Sequence, residues 1–165
     1  MNTQKLFDLN GKTAIITGGG NGIGKAVCEL MSAYGANVVV ADLKFEDAQV
    51  VSEQLIEDGG KALPVLCKVT QDEDLVNLAK VTVEKFGGID ILVNNAVGPG
   101  ATRTKALESV LTPEIEAKML SGTPIKRLGK VEDIAGAVLY FAAPVSEWVS
   151  GQVLFVNGGG IQTLD

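Results

Sequence analysis

The sequence predicts an α/β fold, a three-layer Rossmann-like arrangement in which a parallel sheet lies between helices. Two observations carry this prediction. Short apolar runs rich in β-branched residues alternate with longer segments of helical periodicity, and a glycine-rich turn follows the first run. Strands and helices that alternate in this way form parallel sheets with right-handed crossovers. We expect a shortened sheet with the strand order 3-2-1-4-5.

The predicted strands are apolar runs bounded by glycine or polar residues. Thr13 to Thr17 and Asn37 to Asp42 are continuous apolar runs, as is typical of strands buried on both faces. Three further strands are predicted at 62–69, 89–94 and 152–156.

The predicted helices carry apolar residues at three- and four-residue spacing. Ile23, Val27 and Met31 define the first of them, and Gly35 is a plausible stop signal. Thr112 followed by Pro113 is typical of an N-cap with proline at the first helical position. The other helices are predicted around 50–56, at 72–86, from 113 to about 120, and at 131–142.

Length and composition favour one soluble domain spanning residues 1–165. The chain is 46% apolar and 21% charged, which is ordinary for a globular core. Its formal net charge is −6 without a long run of lysine or arginine, so nucleic acid is not an expected partner. No apolar stretch approaches the ~18 residues of a membrane span, and no signal-peptide region is visible. We expect a cytoplasmic protein.

A metal site is not expected, because the residues that most often hold metals are scarce. The chain has no histidine, which also removes the commonest general base. Cys28 and Cys67 lie far apart, without Cys-x-x-Cys spacing. We interpret both cysteines as buried structural thiols.

The glycine-rich stretch Thr17 to Gly24 lies between the first strand and the first helix. Glycine suits this turn because a Cβ would keep a pyrophosphate away from the backbone and from the helix N-terminus. Asp42 ends the second strand, where a carboxylate can accept hydrogen bonds from adenosine ribose hydroxyls. An ordinary turn and a helix-capping acid are the alternatives. The same carboxylate would repel a 2′-phosphate, so NAD is favoured over NADP, although Lys44 weakens this preference slightly.

Further motifs accompany the turn: Asn94-Asn95-Ala96 closes the fourth strand, and Pro99-Gly100 is followed by Thr104. With the pattern Thr-Gly-x-x-x-Gly-x-Gly, they resemble the short-chain dehydrogenase/reductase family. The segments 112–116, 123–129 and 148–152 are similar to bacterial 7α-hydroxysteroid dehydrogenases. The resemblance extends over nearly the whole chain.

The resemblance implies an NAD site built from residues of several loops. The pyrophosphate would be held by the turn, that is, by Gly18, Asn21, Gly22, Ile23 and Gly24. Asp42 and Leu43 would contact the adenosine ribose, Val69 the adenine, Asn95 the cofactor side of the fourth strand, and Thr102 and Thr104 the nicotinamide carboxamide. Two residues depart from the family pattern, since Lys68 stands where aspartate is usual and Val97 where glycine is usual.

The catalytic residues that the resemblance implies are absent. The family uses a serine with a Tyr-x-x-x-Lys pair, in which the tyrosine is the general acid and base. The chain has two tyrosines, and Tyr34 and Tyr140 are followed four residues later by Val38 and Pro144. We therefore predict no catalytic residue and interpret both tyrosines as structural.

The missing segment should hold about 80 residues, if each βα unit takes roughly 30 to 40. The join is predicted at about Ala96-Val97, where the end of the family's fourth strand continues directly as the exit from its sixth. A hybrid strand at 89–95 would then pair with the first strand on one side and with residues 152–156 on the other. Lost central helices should expose apolar surface, so we expect a homo-oligomer or other self-association.

Three functional hypotheses follow. By resemblance the chain derives from an NAD-dependent oxidoreductase that acts on a secondary alcohol of a steroid such as a bile acid. Because hydride exchange with an alcohol needs a positioned proton donor or acceptor, we predict that this chain binds NAD without turnover. A catalytically silent nucleotide-binding module and a structural subunit partner are the alternatives.

Overall fold

The first four predicted strands form one parallel sheet. The computed structural model of the chain describes residues 5–95 and 100–159. The strands are β1 (Thr13–Thr17), β2 (Asn37–Asp42), β3 (Lys61–Leu66) and β4 (Ile91–Val93), in the order β3-β2-β1-β4. The predicted α/β class and the positions of these four strands are confirmed.

The described part of the chain contains six α-helices and a short 3-10 helix, Pro144–Ser146. The α-helices are α1 (Gly22–Ala33), α2 (Phe45–Glu57), α3 (Asp72–Phe86), α4 (Lys105–Glu108), α5 (Pro113–Leu120) and α6 (Val131–Ala142). The bounds of α3, α5 and α6 agree with the predicted ones. At the start of α5, Thr112 accepts a hydrogen bond from the Ile115 N–H (3.3 Å), as its N-cap position predicts.

The helices form a layer on each face of the sheet. One apolar cluster contains Ile16 and Val38 and packs them against α1, α2 and α6. The other contains Ile15 and Val39 and packs them against Leu78 of α3. All five residues of β1 are buried, because both of its faces are covered. This burial explains the continuous apolar run of β1.

The predicted fifth strand at 152–156 is not formed, and this part of the expected order is wrong. Residues 152–156 are described without strand structure, and Val153, Leu154 and Phe155 are exposed. The segment is held by Gly100 instead, whose N–H donates to the Val156 carbonyl (3.3 Å). β4 is three residues long, and among the described residues its outer edge is unpaired.

β4 is covered on one face only. Ile91 and Val93 pack against the cluster shared by α1 and α6. Leu92 points to the other face, where its neighbour Ile15 is 3% exposed but Leu92 itself is 58% exposed. The hybrid strand therefore has an uncovered face and, among the described residues, pairs with β1 alone. The predicted join at Ala96-Val97 lies outside the described residues.

Within residues 5–95 and 100–159, no helix is both long enough and apolar enough to cross a lipid bilayer.

Replacing a fully buried residue of β1 should destabilise the fold far more than replacing an exposed residue of β4. Ile16→Ala should lower the free energy of unfolding by about 2–5 kcal/mol, because it leaves a cavity at the centre of the sheet. Leu92→Ala removes a similar volume from an exposed position and should cost less than about 1 kcal/mol. Urea denaturation followed by circular dichroism measures both. Equal losses would contradict the assignment of β1 as the core strand.

Candidate functional site

The glycine-rich turn between β1 and α1 requires glycine at two positions, one for its backbone conformation and the other for lack of space. Gly18 has a φ of +62°, which L side chains rarely adopt. A Cβ on Gly24 would overlap the carbonyl oxygen of Gly18 and lie 2.8 Å from Nδ2 of Asn95. The turn therefore depends on glycine at both positions, since the backbone of the strand exit touches the backbone of the helix.

The N-terminus of α1 carries features that suit an anion. Asn21 is the N-cap, and its Oδ1 accepts a hydrogen bond from the Gly22 N–H (2.8 Å). No acidic residue lies in the first turn of α1, so no carboxylate competes for the partial positive charge there. Ile23 is half-buried against the apolar cluster and anchors this turn of the helix. The backbone N–H groups at this helix end can donate hydrogen bonds to a phosphate group.

Asp42 links the turn to the following helix. Its Oδ2 accepts a hydrogen bond from the Gly20 N–H (2.9 Å), and its Oδ1 accepts one from the Lys44 N–H (3.0 Å). The Gly19 N–H also donates to the carbonyl of Ala41 at the end of β2 (3.1 Å). These contacts place a carboxylate beside the turn, at the carboxyl-terminal edge of the sheet. That edge is where ligands bind in open α/β sheets.

Asn95 lies on the other side of the turn. Thr17 donates from its hydroxyl to the carbonyl of Val93 (3.2 Å) and accepts a hydrogen bond from the Asn95 N–H (3.2 Å). Nδ2 of Asn95 lies 3.7 Å from the point that a Cβ on Gly18 would occupy. Thr17 thus holds the end of β4 against the end of β1.

The two threonines predicted to contact the nicotinamide, Thr102 and Thr104, lie in different surroundings. A methyl carbon of Thr104, Cγ2, lies 3.9 Å from the point that a Cβ on Gly22 would occupy, so Thr104 borders the turn. Its hydroxyl oxygen accepts a hydrogen bond from the Leu107 N–H at the start of α4 (3.3 Å). Thr102 is buried, and its hydroxyl donates to the carbonyl of Gly100 (2.9 Å).

Leu43 and Val69 lie on the loops that follow β2 and β3. Their side chains are 60% and 55% exposed, so both are available to a flat apolar group from solvent. Lys68, which stands where the family usually has aspartate, donates its N–H to Oδ2 of Asp74 (2.8 Å). Asp74 of α3 therefore places a carboxylate beside Lys68, where the family usually has an aspartate.

Thr102 lines a cavity of about 360 Å³ that includes no residue of the turn. Arg127 and Asp133 form a paired hydrogen-bonding contact on its wall, with N–O distances of 2.7 and 3.1 Å. Hydrogen bonds from the Arg127 guanidinium lower the pKa of Asp133 to about 2, so this carboxyl stays ionised at neutral pH. The cavity is therefore a separate feature of the C-terminal part of the chain.

Two residues beside the turn were not identified from the sequence. The buried thiol of Cys28 donates to the carbonyl of Gly19, with an S–O distance of 3.9 Å, and burial raises the pKa of that thiol. Asp47 lies in the first turn of α2, with its Cβ 2.8 Å from the point that a Cβ on Gly20 would occupy. Its position shortly after Asp42 in the sequence could have indicated that Asp47 lies beside the turn. Cys28 and Cys67 are both free and buried, as expected.

Among the described residues, no group of histidine, cysteine or acidic side chains is placed to hold a metal ion.

Comparison with known proteins identifies related chains over the whole described length. The short chain dehydrogenase family pattern matches residues 12–120, and the pattern described as enoyl-(acyl carrier protein) reductase matches residues 95–160. The 7α-hydroxysteroid dehydrogenase of Escherichia coli K12 is 32% identical, covering 95% of this chain and 97% of that protein. A 2,5-dichloro-2,5-cyclohexadiene-1,4-diol dehydrogenase of Sphingobium indicum is 48% identical over 58% of this chain and 37% of its own length.

Solved structures show the same likeness. A 7α-hydroxysteroid dehydrogenase complexed with NADH and 7-oxo glycochenodeoxycholic acid has a TM-score of 0.91 and 30% identity, with 100% of both chains covered. A hydroxysteroid dehydrogenase from Escherichia coli has a TM-score of 0.90 and 31% identity, covering 96% of this chain and 100% of that one.

The sequence alignment also shows that this chain is shorter than its relative. The alignment with the Escherichia coli enzyme runs over 247 positions, whereas this chain has 165 residues. About 80 positions or more of the alignment therefore have no counterpart here. This difference agrees with the size of the segment expected from the missing strands and helices.

A Cβ at Gly24 should disrupt the turn. Gly24→Ala should lower the free energy of unfolding by about 1–3 kcal/mol, because either the Gly18 carbonyl or α1 must move. Gly136→Ala is the matched control, since Gly136 lies within α6 with nothing inside 4 Å of its Cβ position. That change should be neutral or stabilising by up to about 1 kcal/mol. Thermal and urea denaturation compare the two, and a Gly24→Ala variant as stable as the wild type would contradict the backbone contact.

Proposed function

The chain belongs to the short-chain dehydrogenase family, and we propose that it binds NAD(H) without oxidising or reducing an alcohol substrate. One observation carries the proposal. The hydrogen bond between the Gly20 N–H and Oδ2 of Asp42 places a carboxylate directly beside the open N-terminus of α1. A dinucleotide presents a pyrophosphate and a pair of ribose hydroxyl donors, which are the groups that these two features recognise.

The residues present fit such a ligand. The turn from Gly18 to Gly24 offers amide groups and no side chains at its closest point, and no acid in the first turn of α1 opposes a phosphate. Asp42 and Leu43 would hold the adenosine ribose and Val69 would pack against the adenine. Asn95 and Thr104 would contact the nicotinamide end, whereas Thr102 lines the separate cavity. NAD supplies a hydride acceptor when bound, and the residues named here orient it.

Turnover is not expected because neither tyrosine of the chain belongs to a Tyr-x-x-x-Lys pair. Tyr34 is the C-cap of α1, so it lies one helix length from the turn, about 18 Å for 12 residues. Its ring packs edge-on against Phe7, and that of Tyr140 packs edge-on against Phe141. Both tyrosines therefore serve packing. Without a general acid or base near a substrate hydroxyl, the alcohol oxidation of the family lacks its proton transfer.

The relatives support the cofactor proposal and suggest the ancestral substrate. One of the similar structures is a 7α-hydroxysteroid dehydrogenase complexed with NADH and a 7-oxo bile acid derivative. Its similarity to this chain makes NAD(H) the first ligand to test and a hydroxysteroid the first substrate. Much of the steroid site would be formed by residues that this chain lacks, so we propose no steroid-binding residue.

NADH should bind saturably to the purified chain, and Asp42→Asn should weaken that binding. The loss of charge-assisted hydrogen bonds to the ribose should raise the Kd about 10- to 100-fold. Asp58→Asn is the control, because it removes the same charge at the opposite end of α2. Isothermal titration calorimetry measures all three proteins. Absence of saturable binding at millimolar NADH, after intact mass has confirmed 165 residues, would sink the cofactor proposal.

The same preparations test turnover separately. With NAD and a 7α-hydroxy bile acid, the rate of NADH formation should equal the protein-free rate, while the intact Escherichia coli enzyme serves as positive control. A rate comparable with that control would contradict the proposal that catalysis is lost. Binding and turnover can thus fail independently.

A second proposal concerns self-association between copies of this chain. It is favoured by the open edge of β4 and by the exposure of Leu92 on a sheet face where its neighbours Ile15 and Val39 are buried. Unpaired strand edges and uncovered apolar faces promote pairing with another chain. A second copy brings the same edge and the same apolar face, so two copies can cover each other.

Leu92→Lys should shift the chain toward monomer, because it places a charge on the apolar face. Val50→Lys is the control, since Val50 is similarly exposed (63%) but lies on α2. Sedimentation velocity across a hundredfold concentration range gives the oligomer distribution. A wild-type chain that stays monomeric throughout that range would contradict self-association.

A further inference from the structure

Residues 152–156 have the composition of a strand but no strand partner among the described residues. Their sequence, Gln-Val-Leu-Phe-Val, is rich in the β-branched and aromatic residues that favour strands. In a strand, Val153 and Phe155 would lie on one face and Leu154 on the other. All three are exposed, by 78%, 57% and 51% respectively. The 152–156 segment thus offers apolar side chains to both faces of a sheet.

The 152–156 segment is held loosely to the rest of the described chain. Its backbone forms one hydrogen bond there, in which the Gly100 N–H donates to the Val156 carbonyl (3.3 Å). Gly151 and Gly158 flank the segment, and both have positive φ angles, of 68° and 67°. Because glycine adopts both positive and negative φ without steric cost, the chain can turn at either position. Few hydrogen bonds among the described residues therefore oppose a change in the position of the segment.

The outer edge of β4 is open to a strand of this kind. In the described part of the chain, β4 pairs with β1 alone, and Leu92 is 58% exposed. Proteins commonly protect such edges with charged residues or proline. Ile91–Val93 contains neither, and residues 148–159 include no charged residue. No charge within the two stretches therefore opposes their pairing.

We propose that the 152–156 segment of one copy pairs with the outer edge of β4 in a second copy, and that the exchange is reciprocal. This inference rests on the proposed self-association and names the segment that forms the contact. Each sheet gains a strand beside β4, and an apolar side chain of the segment packs against Leu92. A two-fold axis makes both contacts at once, so the exchange gives a closed dimer.

Exchange covers more of the chain than direct contact between two β4 edges. Direct contact would join the three residues of β4 from each copy and leave the 152–156 segment exposed in both. Exchange instead provides a partner for the open edge and for the segment, in both copies. It therefore buries more apolar surface, which is the main driving force for association.

Proline in the 152–156 segment tests the pairing, because proline lacks the N–H that a strand donates to its neighbour. Successive N–H groups of a strand point to opposite edges, so Val153→Pro combined with Leu154→Pro removes one donor from the paired edge in either orientation. Both replacements keep the segment apolar. Ser150→Pro is the control, since Ser150 is exposed and lies just outside the segment. The thermal midpoint of each variant checks its fold.

The double proline variant should raise the dissociation constant of the dimer at least about tenfold, because each of its two contacts loses a hydrogen bond. Ser150→Pro should change that constant by less than about twofold. Sedimentation velocity measures both. A double proline variant that dimerises like the wild type overturns the exchange while leaving self-association intact. A wild-type chain that stays monomeric overturns self-association, and the exchange with it.

Cross-linking identifies the contact directly. Leu92→Cys is mixed with Leu154→Cys or with Phe155→Cys and oxidised; both natural cysteines are buried. Opposed residues on adjacent strands lie close enough for a disulfide, so one of these mixtures should give a mixed dimer, which intact mass distinguishes from either homodimer. Trp148→Cys is the control, since Trp148 is 97% exposed and lies outside the segment. Homodimers of Leu92→Cys without mixed dimers would show direct contact between β4 strands and overturn the exchange.

Discussion

The contact between the carbonyl of Gly18 and the backbone at Gly24 constrains everything built around it. With no Cβ at Gly24, α1 can start directly over the end of β1, and its free amide groups point to the carboxyl-terminal edge of the sheet. The same closeness brings Asn95 to Gly18 and Thr104 to Gly22. A side chain at Gly24 would push the helix away from the strand and separate these groups.

Asp42 organises the other half of the site by competing for backbone donors. Because it accepts from both Gly20 and Lys44, the turn and the start of α2 are held together before any ligand is present. A preformed arrangement lowers the cost of ordering on binding. Because the Lys44 N–H donates to Asp42, it does not cap Asp47, which lies three residues after Lys44 in α2.

In the proposed function, the shortened chain keeps the cofactor site but lacks the catalytic residues. The groups of the proposed cofactor site follow the carboxyl ends of the four strands, with Thr104 at the start of α4. A general acid or base would have to come from the segment that this chain lacks. One face of β4 is uncovered, so Leu92 is exposed whereas its neighbour Ile15 is buried. The proposed binding without reaction rests on which segment is missing.

Local patterns in the sequence determined the strands β1 to β4, the bounds of α3, α5 and α6, and the closeness of the turn to Asp42. These features depend on periodicity, capping residues and glycine, which act over a few neighbouring residues. Only the tertiary structure decided that residues 152–156 form no strand, since a strand requires a paired edge and this segment is held through Gly100 instead. Likewise, Asp47 is indistinguishable in sequence from the capping acid Asp133. Whether such an acid caps its helix depends on which acceptor the N-cap N–H meets: Lys44 donates to Asp42, whereas Lys130 donates to Asp133.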